Sequence, residues 1–153
     1  MEIRLGGLEL PEVGELLREH LHSLAQLSPP ESMHALDLES LRQPSITFWS
    51  VWDDGSLMGC GALKELDARH GEIKSMRTSA KYLRRGVALR LLQHIFEEAG
   101  RRQYQRLSLE TGSMAEFAPA RRLYAACGFT ECDPFADYSA DPNSVFMTKG
   151  LAN

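Results

Sequence analysis

The chain has 153 residues, of which 43% are hydrophobic and 25% are charged. This composition is typical of a globular protein that buries a core, so we expect one domain over residues 1–153 and exclude a disordered chain. Seventeen Lys and Arg residues stand against 21 Asp and Glu residues, and the net charge is −4. Because a negative surface repels phosphate groups, we expect no nucleic-acid partner and no membrane partner.

No apolar run in the sequence approaches the roughly 20 residues that are needed to cross a bilayer. The first residues also lack the basic and then apolar layout of a signal peptide, so we expect a cytoplasmic protein. The three cysteines, Cys60, Cys127 and Cys132, are an odd number without a Cys-x-x-Cys spacing, which favours reduced thiols. His20 and His22 lie two residues apart, on different faces of a helix, and we predict no metal site.

The hydrophobic pattern predicts seven strands and four helices along the chain. The strands are expected at residues 1–7, 46–52, 56–66, 71–79, 106–111, 129–132 and 144–149. The helices are expected at residues 37–43, 86–102 and 118–127, and from residue 11 up to a break at residues 28–30, where two prolines follow a serine. The order strand, helix, strand over residues 71–111 predicts a parallel pair with a right-handed crossover.

Residues 81–88 connect the fourth strand to the longest amphipathic helix. No Ser, Thr, Asp or Asn stands at Leu83, Arg84 or Arg85, so the first amides of this helix have no evident side-chain cap. These amides, the helix dipole and Gly86, which allows a ligand to approach closely, favour binding of an anion such as pyrophosphate. The alternative is a surface turn with two solvated arginines.

Three segments together resemble the GCN5-related N-acetyltransferase (GNAT) superfamily. They are Arg-Arg-Gly-Val-Ala at residues 84–88, Arg-Leu-Ser-Leu-Glu-Thr at residues 106–111, and Ala-Arg-Arg-Leu-Tyr-Ala-Ala-Cys-Gly-Phe at residues 120–129. Segments 28–34, 70–78 and 141–149 further resemble a group of small bacterial acetyltransferases. The resemblance implies an α/β fold with a mixed, mostly antiparallel sheet of about seven strands. Strands four and five form its central parallel pair, and about four helices flank the sheet.

In this superfamily the turn after the fourth strand binds the pyrophosphate of acetyl-CoA, so the resemblance implies acetyl-CoA as the acyl donor. The family pattern begins with Gln or Arg where this chain has Leu83, whereas Gly86 and Ala88 match it. The fourth strand of the family splays from the fifth, and a backbone N–H near Met76 is expected to polarise the thioester carbonyl. The residues that the resemblance assigns to the cofactor are Met76, Arg77, Thr78, Arg84, Arg85, Gly86, Val87 and Ala88.

Two carboxylates are candidates for a general base. An amine acceptor is mostly protonated at neutral pH, so attack on a thioester requires a group that removes one proton. Glu72 opens the unusually polar fourth strand, and Glu110 shares a face of the fifth strand with Ser108. Burial would raise either pKa toward the working range. We place Glu72 ahead of Glu110, although a charged residue near a strand end is often solvated and inert.

Tyr124 lies on the inward stripe of the last helix, where ordinary packing is an alternative role. In the family pattern the tyrosine four residues before Gly-Phe donates a proton to the departing thiolate of coenzyme A, and Tyr124 has that place before Gly128. Cys127 is expected to be a small core residue rather than a nucleophile. Trp49 and Trp52 are expected to pack in the core.

Loops at residues 28–34 and 135–144 are expected to line the acceptor pocket, because loops beside a rigid site carry specificity. Glu31, Ser32 and His34 are the substrate-binding candidates. We therefore predict direct acetyl transfer to the primary amine of a small molecule, by a chain that acts alone or as a homodimer. Two alternatives stay open: an acetyltransferase for protein lysines or N-termini, which would need an open groove, and a non-catalytic sensor of coenzyme A.

Overall fold

The structure, a computed structural model, describes residues 1–33 and 37–151. Seven strands form one sheet in this part of the chain. They are β1 (Glu2–Leu5), β2 (Ile46–Asp53), β3 (Ser56–Asp67), β4 (His70–Thr78), β5 (Arg106–Gly112), β6 (Thr130–Cys132) and β7 (Ser144–Gly150). Their spatial order is β1-β2-β3-β4-β5-β7-β6, and every neighbouring pair is antiparallel except β4 and β5. The predicted mixed sheet with a central parallel pair is confirmed.

Three α-helices occur among the described residues: α1 (Pro11–Leu27), α2 (Val87–Arg101) and α3 (Ala118–Ala126). The fourth predicted helix, at residues 37–43, is wrong, because only a 3-10 turn forms there, at Ser40–Arg42. Gln43 has a ψ of 148°, and it precedes a proline, which disfavours helical angles in the residue before it. Further 3-10 turns occur at Pro30–Ser32, Ala80–Tyr82 and Ala115–Phe117.

The sheet has an apolar layer on each face. Helix α2 packs on one face, where its buried residues meet those of the central strands; this cluster includes Trp49, Leu63, Ile73, Leu91, Leu92, Ile95, Leu107 and Leu109. The smaller cluster on the α1 side includes Val13, Leu16, Leu17, Phe48, Trp52, Cys60 and Ala62. The packing roles predicted for the two tryptophans are confirmed, since Trp49 and Trp52 are 4% and 3% exposed.

The parallel pairing of β4 and β5 covers only the first halves of the two strands. It runs from His70 opposite Arg106 to Ile73 opposite Leu109, yet β4 continues to Thr78 and β5 to Gly112. Beyond Ile73 the register of β4 with β3 is irregular, and Ser75 has a φ of 55°, so the chain bulges there. The second halves of β4 and β5 are therefore left apart at the centre of the sheet.

All three cysteines are free thiols, as the odd number and the spacing predict. Within residues 1–33 and 37–151, no helix combines the length and the apolar character that a membrane span requires.

Candidate active site

A cleft opens where β4 and β5 separate, and it is called the β4–β5 cleft below. Its walls are the second halves of the two strands, the second half of α1, the start of α3 and two loops. The lining residues used here are His20, Ser28, Ser32, Met33, Glu72, Lys74, Ser75, Met76, Glu110, Phe117, Tyr124, Tyr138 and Asn143. The cavity has a volume of about 140 Å³. The structure thus gathers both predicted carboxylates, the predicted tyrosine and both predicted loops around one space.

Glu72 is held in a buried hydrogen-bonded group. Its Oε2 lies 3.2 Å from the Nζ of Lys74 and accepts a 2.6 Å hydrogen bond from the hydroxyl of Tyr138. The Lys74 ammonium also donates to that hydroxyl over 2.9 Å, and the side chains of Glu72 and Lys74 are only 3% and 7% exposed. The Glu72 carboxylate is therefore already engaged by two partners within the protein.

Glu110 lies on β5 in a different environment. Its Oε2 accepts a 2.8 Å hydrogen bond from the hydroxyl of Ser144, and no ion pair to it occurs among the described residues. Burial raises the pKa of Glu110 to about 7; the Ser144 bond and the charge of Lys74 oppose the shift, and the charge of Glu72 adds to it. A carboxyl with a pKa near the working pH suits a general base. Sequence alone places Glu72 ahead, whereas these contacts favour Glu110 as the candidate base.

Tyr124 reaches the cleft from α3, a helix that begins at Ala118 and ends before Gly128, whose φ is 99°. The side chain is 8% exposed, and its ring meets Phe129 edge-on with centroids 5.9 Å apart. Burial raises the pKa of Tyr124 to about 12. The phenol therefore keeps its proton at neutral pH and lies in the wall of the cleft.

The two loops predicted to line the acceptor pocket are joined to each other. Ser32 donates a 2.6 Å hydrogen bond to the carboxylate of Asp141, whose other oxygen accepts a bond from the Asn143 amide. The Asn143 side chain also donates to the Ser32 hydroxyl over 3.3 Å. Of the three candidates, Ser32 lines the cleft, Glu31 is exposed and does not line it, and His34 lies outside the described residues.

Sequence reasoning missed three cleft residues. Lys74 lies two residues after Glu72 on β4. Residues two apart in a strand share a face, so the sequence could have identified Lys74 as a partner of Glu72. Tyr138 lies in an irregular segment with no periodicity to place it. His20 was considered only as a metal ligand, but it lines the cleft from α1, whereas His22 is hydrogen-bonded to Gln26.

The turn before α2 has the features of an anion site. Arg84 and Gly86 have φ values of 64° and 78°, and the structure shows no side-chain hydrogen bond capping α2 at Gly86. Backbone N–H groups in such a turn form a concave anion-binding nest at the positive end of the helix. A Cβ at Gly86 would meet no atom within 4 Å, so the approach is open. The Arg85 guanidinium lies 5.5 Å from the Tyr82 ring.

The other residues assigned to the cofactor take several places. Val87 is 2% exposed and Met76 packs against the α2 core, so the cleft side offers mainly their backbone groups. Arg77 and Thr78 lie on the unpaired half of β4, and the Arg77 side chain extends toward α1. In the described part of the chain, no three His, Cys, Asp or Glu residues lie close enough to hold a metal ion.

Comparisons with known proteins bear on the family and the fold of this chain. The model of the acetyltransferase (GNAT) family matches residues 13–129. The chain is 66% identical to the N-acetyltransferase YsnE of Bacillus subtilis over 151 residues, covering 99% of this chain and 100% of that protein. A GNAT-family acetyltransferase structure from Staphylococcus aureus is 19% identical, with a TM-score of 0.76 and 99% of both chains covered. A GNAT-family structure from Elizabethkingia anophelis with acetyl-CoA bound is also 19% identical, with a TM-score of 0.71, and covers 98% of this chain and 97% of that one.

Proposed function

Because the chain belongs to the acetyltransferase (GNAT) family, we propose that it transfers the acetyl group of acetyl-CoA directly to the primary amine of a small molecule. The observation that carries this proposal is the β4–β5 cleft, where two carboxylates of unequal environment and a protonated tyrosine face one space. Acetyl-CoA supplies an activated thioester, and the residues of this chain supply position and proton transfer. We propose that residues 1–153 act as one catalytic domain.

The turn at residues 83–88 fits the pyrophosphate of the donor. The first amides of α2 have no side-chain cap, and the space in front of Gly86 is open. The unpaired half of β4, from Met76 to Thr78, leads from the centre of the cleft toward this turn. This half of β4 is paired with β3 but has no strand neighbour on its β5 side among the described residues, and backbone groups open on that side suit the amides of a pantetheine arm. The Met76 N–H is the proposed donor to the thioester oxygen.

Glu110 accepts the proton that the amine loses. Its pKa of about 7 is higher than that of an ordinary glutamate, which makes it a stronger base that is still partly ionised at neutral pH. Glu72 holds Lys74 and Tyr138 in place through its hydrogen bonds, and the positive Lys74 in turn limits how far the pKa of Glu110 rises. Tyr124 donates a proton to the leaving thiolate from the opposite wall of the cleft.

The covered acceptor side favours a small molecule over a protein. Ser32 of one loop and Asn143 of the other both line the cleft, and the two loops are hydrogen-bonded to each other through Ser32, Asp141 and Asn143. The volume of about 140 Å³ is below the roughly 300–1,000 Å³ of sites for drug-sized ligands. A lysine on a folded protein would need these loops to separate, whereas a small amine needs only the space between them.

The test is an acceptor screen with purified protein, acetyl-CoA and a panel of small primary amines, which follows release of free thiol and the mass gain of one acetyl group. Acetylation of a small amine would support the proposal. Acetylation of peptides or folded proteins alone would favour the protein acetyltransferase. Tight binding of acetyl-CoA in calorimetry without acetylation of any acceptor would favour the sensor.

A further inference from the structure

Arg77 is a partly buried cation that lacks an anionic partner. Its side chain extends from the unpaired half of β4 toward α1, where one terminal nitrogen lies 3.4 Å from the hydroxyl of Ser23. Its Nε is buried and has no hydrogen-bond partner, and no carboxylate of residues 1–33 or 37–151 forms an ion pair with it. Because buried charges in proteins are normally paired, this arrangement calls for an anion.

Two polar groups of the cleft wall lie beside Arg77. Ser75 is 7% exposed, lines the cleft and has a hydroxyl without a hydrogen-bond partner among the described residues. His20 lines the cleft from α1, and burial together with the charge of Arg77 lowers its pKa to about 4. The imidazole is therefore neutral at pH 7, and the positive charge beside this part of the cleft wall is that of Arg77.

Glu110 is the acidic group of the β5 wall of the cleft. Burial raises its pKa, and the charges of Glu72 and Asp141 add to the rise. Arg77 does not itself line the cleft, but its charge acts on His20, which does, so a guanidinium borders the cleft wall on the α1 side and the Glu110 carboxyl lies on the β5 side. A zwitterionic ligand complements this field, with its amine at Glu110 and its anionic group at Arg77.

We propose that the acceptor is an amine that also carries a carboxylate, of the amino-acid type, and that Arg77 binds this carboxylate with help from the Ser75 hydroxyl. The inference rests on the proposed function and narrows its substrate class. A planar guanidinium matches a carboxylate with two parallel hydrogen bonds, which fixes both the position and the orientation of the acceptor. Arg77 is then a specificity-determining residue, since the proton leaves through Glu110.

The test compares amino acids with their primary amides as acceptors, by thiol release with saturating acetyl-CoA. The amide keeps the amine and the shape but removes the negative charge. We expect kcat/KM for the acid to exceed that for its amide at least tenfold in the protein as it stands. In Arg77→Gln, the KM for the acid should rise at least tenfold and the preference for the acid should disappear. Arg18→Gln is the matched control, because Arg18 is an exposed arginine of α1 paired with Glu15, and it should keep the preference.

The outcomes distinguish failure of the inferred substrate class from failure of the proposed acetyltransferase function. Equal use of acids and amides by the unaltered protein overturns the inference and leaves the proposed function standing, whereas failure of every amine overturns both. Calorimetry with acetyl-CoA tests whether Arg77 binds the cofactor instead. If Arg77→Gln loses affinity for acetyl-CoA but keeps the preference for acids, Arg77 is a cofactor-binding residue and the inference is overturned. If Arg77→Gln does not fold, the KM for the acid is measured in Ser75→Ala instead. An unchanged KM in that variant would contradict the proposed carboxylate-binding site.

Discussion

Replacing Glu110 by Gln should make the protein more stable and less active at the same time. The substitution removes the charge but keeps the size of the side chain, and the amide oxygen can still accept the hydrogen bond that Ser144 donates to the carboxylate. The buried charge is what raises the pKa of this group. The variant therefore isolates the free-energy cost of burying the Glu110 charge, because the packing of the side chain stays the same.

The magnitude follows from the pKa of Glu110, which is 4.5 in a solvated reference and about 7 in the folded protein. A group whose pKa is raised by folding stabilises the fold fully below about pH 4.5, and this contribution is lost as the pH rises through about 7. At about 1.4 kcal/mol for each pH unit, the loss amounts to at most about 3 kcal/mol. Glu110→Gln cannot ionise, so its free energy of unfolding should lack this decrease.

The assay is urea unfolding of the protein and of Glu110→Gln at about pH 5 and about pH 8, on either side of the expected titration. We expect the variant to gain up to about 3 kcal/mol relative to the unaltered protein between the two pH values. In kinetics, the acidic limb of kcat/KM, with a midpoint near the pKa of about 7, should vanish in the variant, because that limb reports the base of the free enzyme.

Glu72→Gln is the contrasting variant. It breaks a buried ion pair and leaves Lys74 without its carboxylate, a change that typically costs about 3 kcal/mol or more. The acidic limb near pH 7 should remain in this variant. Parallel pH dependences of stability in the unaltered protein and Glu110→Gln would refute the raised pKa. Loss of the limb in Glu72→Gln alone would return the role of base to Glu72.

Three further substitutions test the other parts of the site. Gly86→Asn should weaken acetyl-CoA binding at least tenfold, which is about 1.4 kcal/mol in calorimetry. Asparagine tolerates the φ of 78°, but its side chain enters the approach to the turn. The control is Gly55→Asn, at a φ of 79° in open space, which should leave that affinity unchanged. Tyr124→Phe should lower kcat roughly one hundredfold with little effect on donor affinity, and full turnover where chemistry limits the rate would make the tyrosine a packing residue only. Ser32→Ala removes the bond to Asp141 and should raise the acceptor KM more than it lowers kcat; the reverse split would place the loop contact in the chemical step.

Helices and strands could be predicted from the sequence because hydrophobic residues repeat with a different period in each. The stripe that begins at Val13 specifies α1, and the alternation around Leu107 specifies β5. The failure at residues 37–43 has a local cause, since Pro44 stops the segment before a helical turn can propagate. Periodicity also placed Glu72 on the fourth strand and Glu110 on the fifth. It could not rank them, because the ranking depends on neighbours that are distant in sequence.

The partners of Glu72 show where such prediction ends. Tyr138 is 66 residues away and lies in an irregular segment, yet its hydroxyl is 2.6 Å from the Glu72 carboxylate. The positive φ of Ser75 is equally hidden, because serine has no strong preference for that conformation. The bulge and the loss of pairing between β4 and β5 follow from it, and so does the cleft. The fold was therefore predictable from periodicity and resemblance, and the resemblance implied that the fourth strand splays from the fifth, whereas the bulge at Ser75 and the contacts around Glu72 could not be predicted from the sequence.

The same opening explains why a polar strand can stand at the centre of this sheet. A central strand covered on both faces is normally apolar, but beyond Ile73 the second half of β4 borders the cleft instead of β5. Lys74 and Glu72 form an ion pair at its start, whereas Glu110 and Arg77 form no ion pair among the described residues. Burial of the Glu110 charge destabilises the free protein. Under the proposed function, a ligand with an amine and a carboxylate would supply a partner to each group, so that the charges that folding leaves without a counter-ion would serve proton transfer and acceptor binding.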